Sequence, residues 1–252
     1  MRFSFWAVTF LVGLTLASPV PNLNSKDLGK RNTALNAFLA VLLDYLPTID
    51  STIQSVGEVL TVFENLLAIL TGEQTTYNQL GGACTAYTVI FARGTTEPGN
   101  VGILVGPPFF DALRSLVGTS ALTIQGVNDY SASIDGYIEG GDPAGSAEMA
   151  VQIQAAYKAC PNTKLIASGY SQGGQLVHNS IGSLPAAVAS WISKVVIFGD
   201  PDDGQAIPNV AASKVDTYCH VGDDICLNGD LVLPAHLTYA ENAAAAAAFV
   251  VS

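Results

Sequence analysis

Lys164-Leu165-Ile166-Ala167-Ser168-Gly169-Tyr170-Ser171-Gln172-Gly173-Gly174 holds the transition that decides the fold. Lys164 to Ser168 reads as a buried strand, and Gln172 to Ile181 has helical spacing. Gly169-Tyr170-Ser171-Gln172-Gly173 therefore fits G-x-S-x-G at a strand-to-helix turn. A side chain at either glycine would clash as the backbone doubles back. Such a turn lifts the Ser171 hydroxyl above the sheet edge and sets it at a helix N-terminus, whose dipole favours negative charge. Ser171 is the expected nucleophile; the competing reading is a glycine-rich βα turn with an incidental serine.

Outward from this turn, short apolar runs alternate with helical stretches. Tyr87–Ala92, Leu122–Val127, Val195–Phe198 and Val215–Cys219 read as strands. Phe109–Leu116, Ser146–Tyr157 and the alanine-rich Glu241–Val250 read as helices. This alternation predicts an α/β fold: a three-layer sandwich with a central, mostly parallel sheet covered on both faces. Before it, Leu35, Phe38, Leu39, Leu42 and Leu46, and then Ile49, Ile53, Val56, Leu60, Phe63, Leu67 and Leu70, recur at helical spacing around Pro47. A helical hairpin is expected there, within an extension over 32–80, with Thr71–Gly82 as the linker to a domain over 81–252.

The extreme N-terminus carries a different signal. Arg2, the apolar run Phe3–Leu14 and the small residues of Thr15-Leu16-Ala17 form a signal peptide over 1–17, and Lys30-Arg31 offers a dibasic processing site closing a propeptide over 18–31. No later segment has 18 consecutive apolar residues, so no integral membrane span is expected. Four cysteines in a secreted, extracellular chain predict two disulfides. Cys219 and Cys226 would close a small loop and Cys84 and Cys160 a long one. With no C-x-x-C and three histidines, a zinc site is a poor alternative, and no metal is expected. The net charge of −11, from 10 basic and 21 acidic residues, excludes a nucleic-acid partner, which requires a basic footprint. Acidic surfaces also repel polyanions, which leaves neutral substrates.

A serine nucleophile needs a base. His178 stands seven residues into the helix after Ser171, about 10 Å along its axis, which is too far. His220 follows Cys219 at a strand end. His236, in Leu233-Pro234-Ala235-His236-Leu237 before the last helix, occupies the base position in the order Ser…Asp…His and is preferred. The acid should lie between Ser171 and His236, where Asp200, Asp202, Asp203, Asp216, Asp223, Asp224 and Asp230 qualify. Asp223 and Asp224 fall inside the Cys219–Cys226 loop, whose rigidity suits an acid that orients a histidine. Spacing does not choose between these neighbours.

At these residues the chain resembles the cutinases, secreted serine esterases of the α/β-hydrolase fold. The likeness lies in Ala92-Arg93-Gly94-Thr95-Thr96-Glu97-Pro98-Gly99-Asn100, Gly169-Tyr170-Ser171-Gln172-Gly173-Gly174, Cys219-His220-Val221-Gly222-Asp223-Asp224-Ile225-Cys226 and Pro234-Ala235-His236-Leu237, and covers roughly 82–252. The resemblance implies a triad of Ser171, Asp223 and His236, favouring Asp223 over Asp224, and an oxyanion hole from Thr95 and Gln172. Arg93 and Glu97 read as loop scaffolding. Gly199-Asp200-Pro201 is more similar to the related acetylxylan esterases, and the resemblance does not explain the extension over 32–80.

The expected function is a monomeric serine esterase, with no cofactor, acting on a polyester or lipid-like ester substrate with apolar acyl chains, foremost cutin. An acetylxylan esterase is the alternative within the class, and a catalytically inactive surface-binding or effector protein the alternative outside it. For the helical extension the candidates are a lid over Ser171 and the Leu231–Leu233 rim, a removable pro-segment, or a hairpin packed elsewhere.

Overall fold

The computed structural model describes residues 52–252. The expected signal peptide, the propeptide and the first helix of the hairpin lie outside the described residues. Of the two helices expected there, the second is observed as α1 (Ile53–Thr71), which ends at Gly72 in the left-handed conformation.

Five strands follow: β1 (Tyr87–Ala92), β2 (Leu122–Gly126), β3 (Lys164–Tyr170), β4 (Lys194–Phe198) and β5 (Val215–Tyr218). They form one sheet in the order β2-β1-β3-β4-β5, and every neighbouring pair is parallel. The helices between and after them are α2 (Gly106–Val117), α3 (Ile134–Ile138), α4 (Pro143–Ala159), α5 (Gln172–Ser183), α6 (Ala186–Trp191) and α7 (Ala243–Val251). The short α3 and α6 are additions to the expected set. A Ser133 side chain accepting the Gly136 N–H caps α3.

Strand alternation sorts the side chains into two cores. Val89, Phe91, Ile166, Val196 and Phe198 face α2 and α7, together with Ile53, Leu60 and Leu67 of α1. Ile90, Ala92, Leu165, Ala167, Val195 and Ile197 face α4 and α5. Burial on both faces explains why these strands read as continuous apolar runs. In the register, Ala92 stands opposite Gly169 and Tyr170 opposite Phe198. The chain therefore leaves β1, β3 and β4 at one edge, where a parallel α/β sheet places its ligands.

The stretch expected as a linker is fastened to this sheet. Asn78 pairs with Gln125 in an antiparallel bridge, the Gly126 N–H donates to Tyr77 O, and the Tyr77 N–H donates to Asn100 Oδ1 at 2.8 Å. Two disulfides, Cys84–Cys160 and Cys219–Cys226, pair as the spacing predicted.

The Cys84–Cys160 bridge spans 76 residues and ties the start of β1 to the end of α4. Replacing both cysteines by serine should cost about 2–5 kcal/mol, which lowers the melting temperature by roughly 5–15 °C in a domain of this size. The bridge lies away from Ser171, so specific activity below the new transition should be unchanged. Calorimetry with an esterase assay checks both.

Candidate active site

Three backbones converge at Ser171. A Cβ on Gly169 would stand 2.2 Å from Gly173 O, and one on Gly173 would stand 2.1 Å from Ala92 O. Only glycine permits β3, the first turn of α5 and the end of β1 to approach this closely. Ser171 itself is held at φ 56° and ψ −124°, a sparsely populated conformation for a non-glycine residue. Its N–H donates to Phe198 O at 2.9 Å and its carbonyl accepts the Gly174 N–H at 2.7 Å.

His236 sits in a short 3-10 turn, Pro234–Leu237, and is buried. Its ring stacks on Tyr170 at 5.1 Å, and the Tyr170 hydroxyl donates to His236 O at 2.9 Å. Gly199 makes room for the ring, since a Cβ there would come within 2.8 Å of His236 Cε1. His236 Nδ1 lies 2.8 Å from Asp223 Oδ2. Asp223 also receives the Tyr239 hydroxyl on Oδ2 at 2.6 Å and the Ile225 N–H on Oδ1 at 3.0 Å. Burial alone would raise the Asp223 carboxyl, but the bond and charge of His236, with the Tyr239 and Ile225 donors, hold it below the ordinary carboxylate range. The Ser171 hydroxyl has no hydrogen bond to His236 among the described residues; such nucleophile–base contacts commonly tighten only when substrate is bound.

The other candidates are engaged elsewhere. Asp224 Oδ2 accepts the Leu231 N–H, Asp216 accepts the Tyr218 hydroxyl, and Asp200 pairs with His178 at 3.0 Å. Burial would lower His178, yet the hydrogen bond and charge of Asp200 raise it above its ordinary value. The His220 ring is held by Ala235 O, Thr238 Oγ1 and Asn242 Oδ1. The fold thus bonds His236 to Asp223 against Tyr170, the residue before Ser171, and leaves His178 and His220 in structural bonds.

Thr95 and Gln172 also meet. The Gln172 side chain donates to Thr95 Oγ1 at 2.9 Å and to Ser133 O at 2.7 Å. Neither of their backbone N–H groups has a partner among the described residues, as a group that receives a developing oxyanion requires. The loop bearing Thr95 is built around Glu97, whose carboxylate accepts the N–H groups of Gly94, Ile103 and Leu104 at 2.8, 2.9 and 2.9 Å. Arg93 Nε donates to Glu97 O, and Arg93 stacks on Tyr130. Between them Thr96 has φ 69°, strained for a β-branched residue.

Helix α1 lies across these loops. Thr52 bridges Leu231, the Ile53 N–H donates to Asp230 O at 2.8 Å, and a Cβ on Gly57 would meet Ile134 Cδ1 at 2.6 Å. Its inward residues are Ile53, Gly57, Leu60, Glu64 and Leu67. Glu64, 2% exposed, accepts the Thr96 hydroxyl at 3.0 Å, one residue from Thr95. Burial first, then the charge of Glu97, raise Glu64 well above the ordinary carboxylate range. Its outer face is apolar as well: Val62, Ile69 and Leu70 are 69%, 77% and 71% exposed. By length and composition the 19-residue α1 could cross a membrane, but Glu64 and its neighbours pack on the domain.

A strained serine at a strand-to-helix elbow, with a histidine–aspartate pair beside it, on a parallel sheet between helical layers, defines a serine ester hydrolase of the α/β-hydrolase kind. The chain belongs to the cutinase family, whose model matches residues 83–252. It is 51% identical over 197 residues to Cutinase pbc1 of Pyrenopeziza brassicae, covering 78% of this chain and 96% of that protein. It is 44% identical over 246 residues to a cutinase of Hypocrea jecorina, covering 96% of this chain and 95% of that one. Among solved structures, the Trichoderma reesei cutinase in complex with a C11Y4 phosphonate inhibitor matches with a TM-score of 0.73 and 45% identity, over 86% of this chain and 97% of that one. An acetyl xylan esterase at 24% identity and a TM-score of 0.55 shares the fold.

A carboxyl raised on folding is penalised as pH climbs above its unfolded value, because the folded state either keeps the proton or buries a charge. Glu64→Gln escapes that penalty. The variant should melt higher than its parent at pH 8, and the difference should vanish below about pH 4, where both side chains are neutral. Thermal melts at the two pH values check the sign.

Proposed function

We propose that this protein is a secreted, monomeric esterase that hydrolyses ester bonds of apolar acyl chains, with cutin polyester as its natural substrate. The observation that carries the reading is the Asp223–His236 bond of 2.8 Å set against the Ser171 elbow. His236 takes the proton of Ser171 Oγ as that oxygen attacks the ester carbonyl. The N–H groups of Thr95 and Gln172 receive the carbonyl oxygen as it becomes negative. The protonated His236 hands its proton to the departing alcohol, and Asp223 stabilises the imidazolium. Water, deprotonated by His236, then attacks the acyl carbonyl, and His236 returns that proton to Ser171 Oγ as the serine leaves and the carboxylic acid is released. Every proton passes between Ser171, His236, the alcohol and water, so the route calls on no cofactor or metal. The predicted signal peptide and the two disulfides support an extracellular setting, and the acidic balance argues against nucleic acid as a partner. Ser171→Ala should lower kcat on p-nitrophenyl butyrate by at least ~10³-fold with the melting temperature kept. Unchanged hydrolysis would remove Ser171 from the mechanism, and faster acetate release from xylan than acyl release from polyester would replace the substrate.

We also propose that α1 is a lid over this site. Its contacts with Thr96, Ile134, Asp230 and Leu231, residues adjoining the oxyanion loop and the apolar rim, support that reading over a hairpin packed elsewhere. Thr75 O accepts the Asn100 and Val101 N–H groups, so a clean deletion stops at Thr71. Removing 32–71 should speed turnover of soluble short-chain esters and abolish activation by detergent. A folded deletion variant with parental kinetics, with and without detergent, would sink the lid.

A further inference from the structure

Three residues beyond His236, a buried tyrosine grips the same acid. Tyr239 is fully buried, and its hydroxyl donates to Asp223 Oδ2 at 2.6 Å, the oxygen that faces His236 Nδ1. That hydroxyl oxygen in turn accepts the His220 N–H at 2.9 Å. Cys226 Sγ lies 3.5 Å from it. The ring is clamped: His220 stacks on it at 4.2 Å, and a Cβ on Gly199 would come within 2.8 Å of Tyr239 Cε2. We infer that Tyr239 is a positioning residue for ester hydrolysis, whose hydroxyl fixes the Asp223 carboxylate, and through it the orientation of His236 toward Ser171. This inference rests on the Ser171–His236–Asp223 reading above.

The physical argument runs through the donors on Asp223. A carboxylate held by the Ile225 N–H on one oxygen and a histidine on the other can still tilt about its last torsion, which is soft. A third donor on Oδ2 removes that freedom. The direction of this bond is set as well, because the Tyr239 oxygen already receives the His220 N–H, which leaves its single proton for Asp223. Burial, then the bond to Asp223, raise Tyr239 far above the ordinary phenol range, so it remains a donor at every working pH. The same residue links three pieces that must stay in register: the disulfide loop, the end of β5 and the turn that carries His236. No proton is transferred by Tyr239; it acts by geometry and by sharing the charge on Asp223.

Tyr239→Phe keeps the ring and removes the hydroxyl. In the full chain with both disulfides intact, kcat on p-nitrophenyl butyrate should fall about 10- to 100-fold, the range expected for a hydrogen bond to a charged group, while KM changes less than twofold. The acid limb of the kcat profile, which reports protonation of the coupled His236–Asp223 pair, should move to higher pH, because a carboxylate with one donor fewer presents more negative charge to the imidazolium. A nearly isosteric 3,5-difluorotyrosine placed at 239 is a stronger donor and should move the limb the opposite way. A folded Tyr239→Phe protein with parental kcat and acid limb would overturn the inference. If Tyr239→Phe does not fold, the fluorinated protein decides, and an unmoved limb overturns it. Ser171→Ala run in parallel separates the two readings. Retained hydrolysis in that variant defeats the Ser171 mechanism and the Tyr239 role with it. Lost hydrolysis with unmoved limbs at 239 defeats the Tyr239 role alone.

Discussion

The rest of the site depends on one close approach, the contact of the first turn of α5 with the ends of β1 and β3. At Gly169 and Gly173 there is no space for a methyl group, and the neighbours that would be struck are backbone atoms. Side chains can rotate away from an intruder, but a carbonyl fixed in a parallel sheet cannot. The closeness serves a purpose in the architecture. It forces Ser171 into a conformation with positive φ, and it brings the Gln172 amide beside the serine at the helix N-terminus. The strain is held in place by the Ser171 N–H bond to Phe198 O at the end of β4, so the sheet secures the turn from the other side.

What the sequence made legible is what local periodicity and spacing encode. The strand runs were apolar on both faces because two separate cores bury them, and Gly169-Tyr170-Ser171-Gln172-Gly173 was readable because the glycines are a steric necessity. His236 followed from chain order, whereas Asp223 and Asp224 were indistinguishable by spacing. In space Asp224 turns to the Leu231 N–H and Asp223 to His236, a choice made by the disulfide loop and not by composition. Non-local contacts stayed hidden. Thr71–Gly82 carried glycines and read as a linker, yet Tyr77 and Asn78 fasten it to Asn100 and Gln125 across the sheet edge. Tyr239 looked like an ordinary aromatic in front of the last helix. Nothing in Leu237-Thr238-Tyr239 indicates that its hydroxyl would meet an acid 16 residues away. The helix α3 is only five residues long, too short for its periodicity to register.

Asp223, Glu97 and Glu64 are buried carboxyls beside His236, in the loop over 94–104 and on α1, and their partners divide the labour. Asp223 has donors enough to remain charged despite burial. Glu97 accepts three backbone N–H groups and lies near Arg93, and burial still raises it; it shapes the loop by gathering amides that would otherwise lie unpaired. Glu64 has a single hydroxyl from Thr96 and the charge of Glu97 nearby, so it is the least compensated of the three. A charged group is kept in the interior by hydrogen bonds to its charged form, and the count of donors ranks these residues.

That ranking explains the character of α1. Its inward stripe recurs at the spacing of a packed helix, and Ile53, Leu60 and Leu67 contribute about 1.5–3 kcal/mol each when buried, taken as upper values. The fourth place in the stripe, where another leucine would add as much, is Glu64, and the second is Gly57, which has no side chain to bury. The outer face returns little, since Val62, Leu66, Ile69 and Leu70 remain in water. A helix designed only for permanent attachment would place an apolar side chain at 64 and polar ones at 62, 66 and 69. The opposite arrangement leaves the attachment of α1 weakest where Glu64 meets Thr96, and leaves its apolar outer face in water.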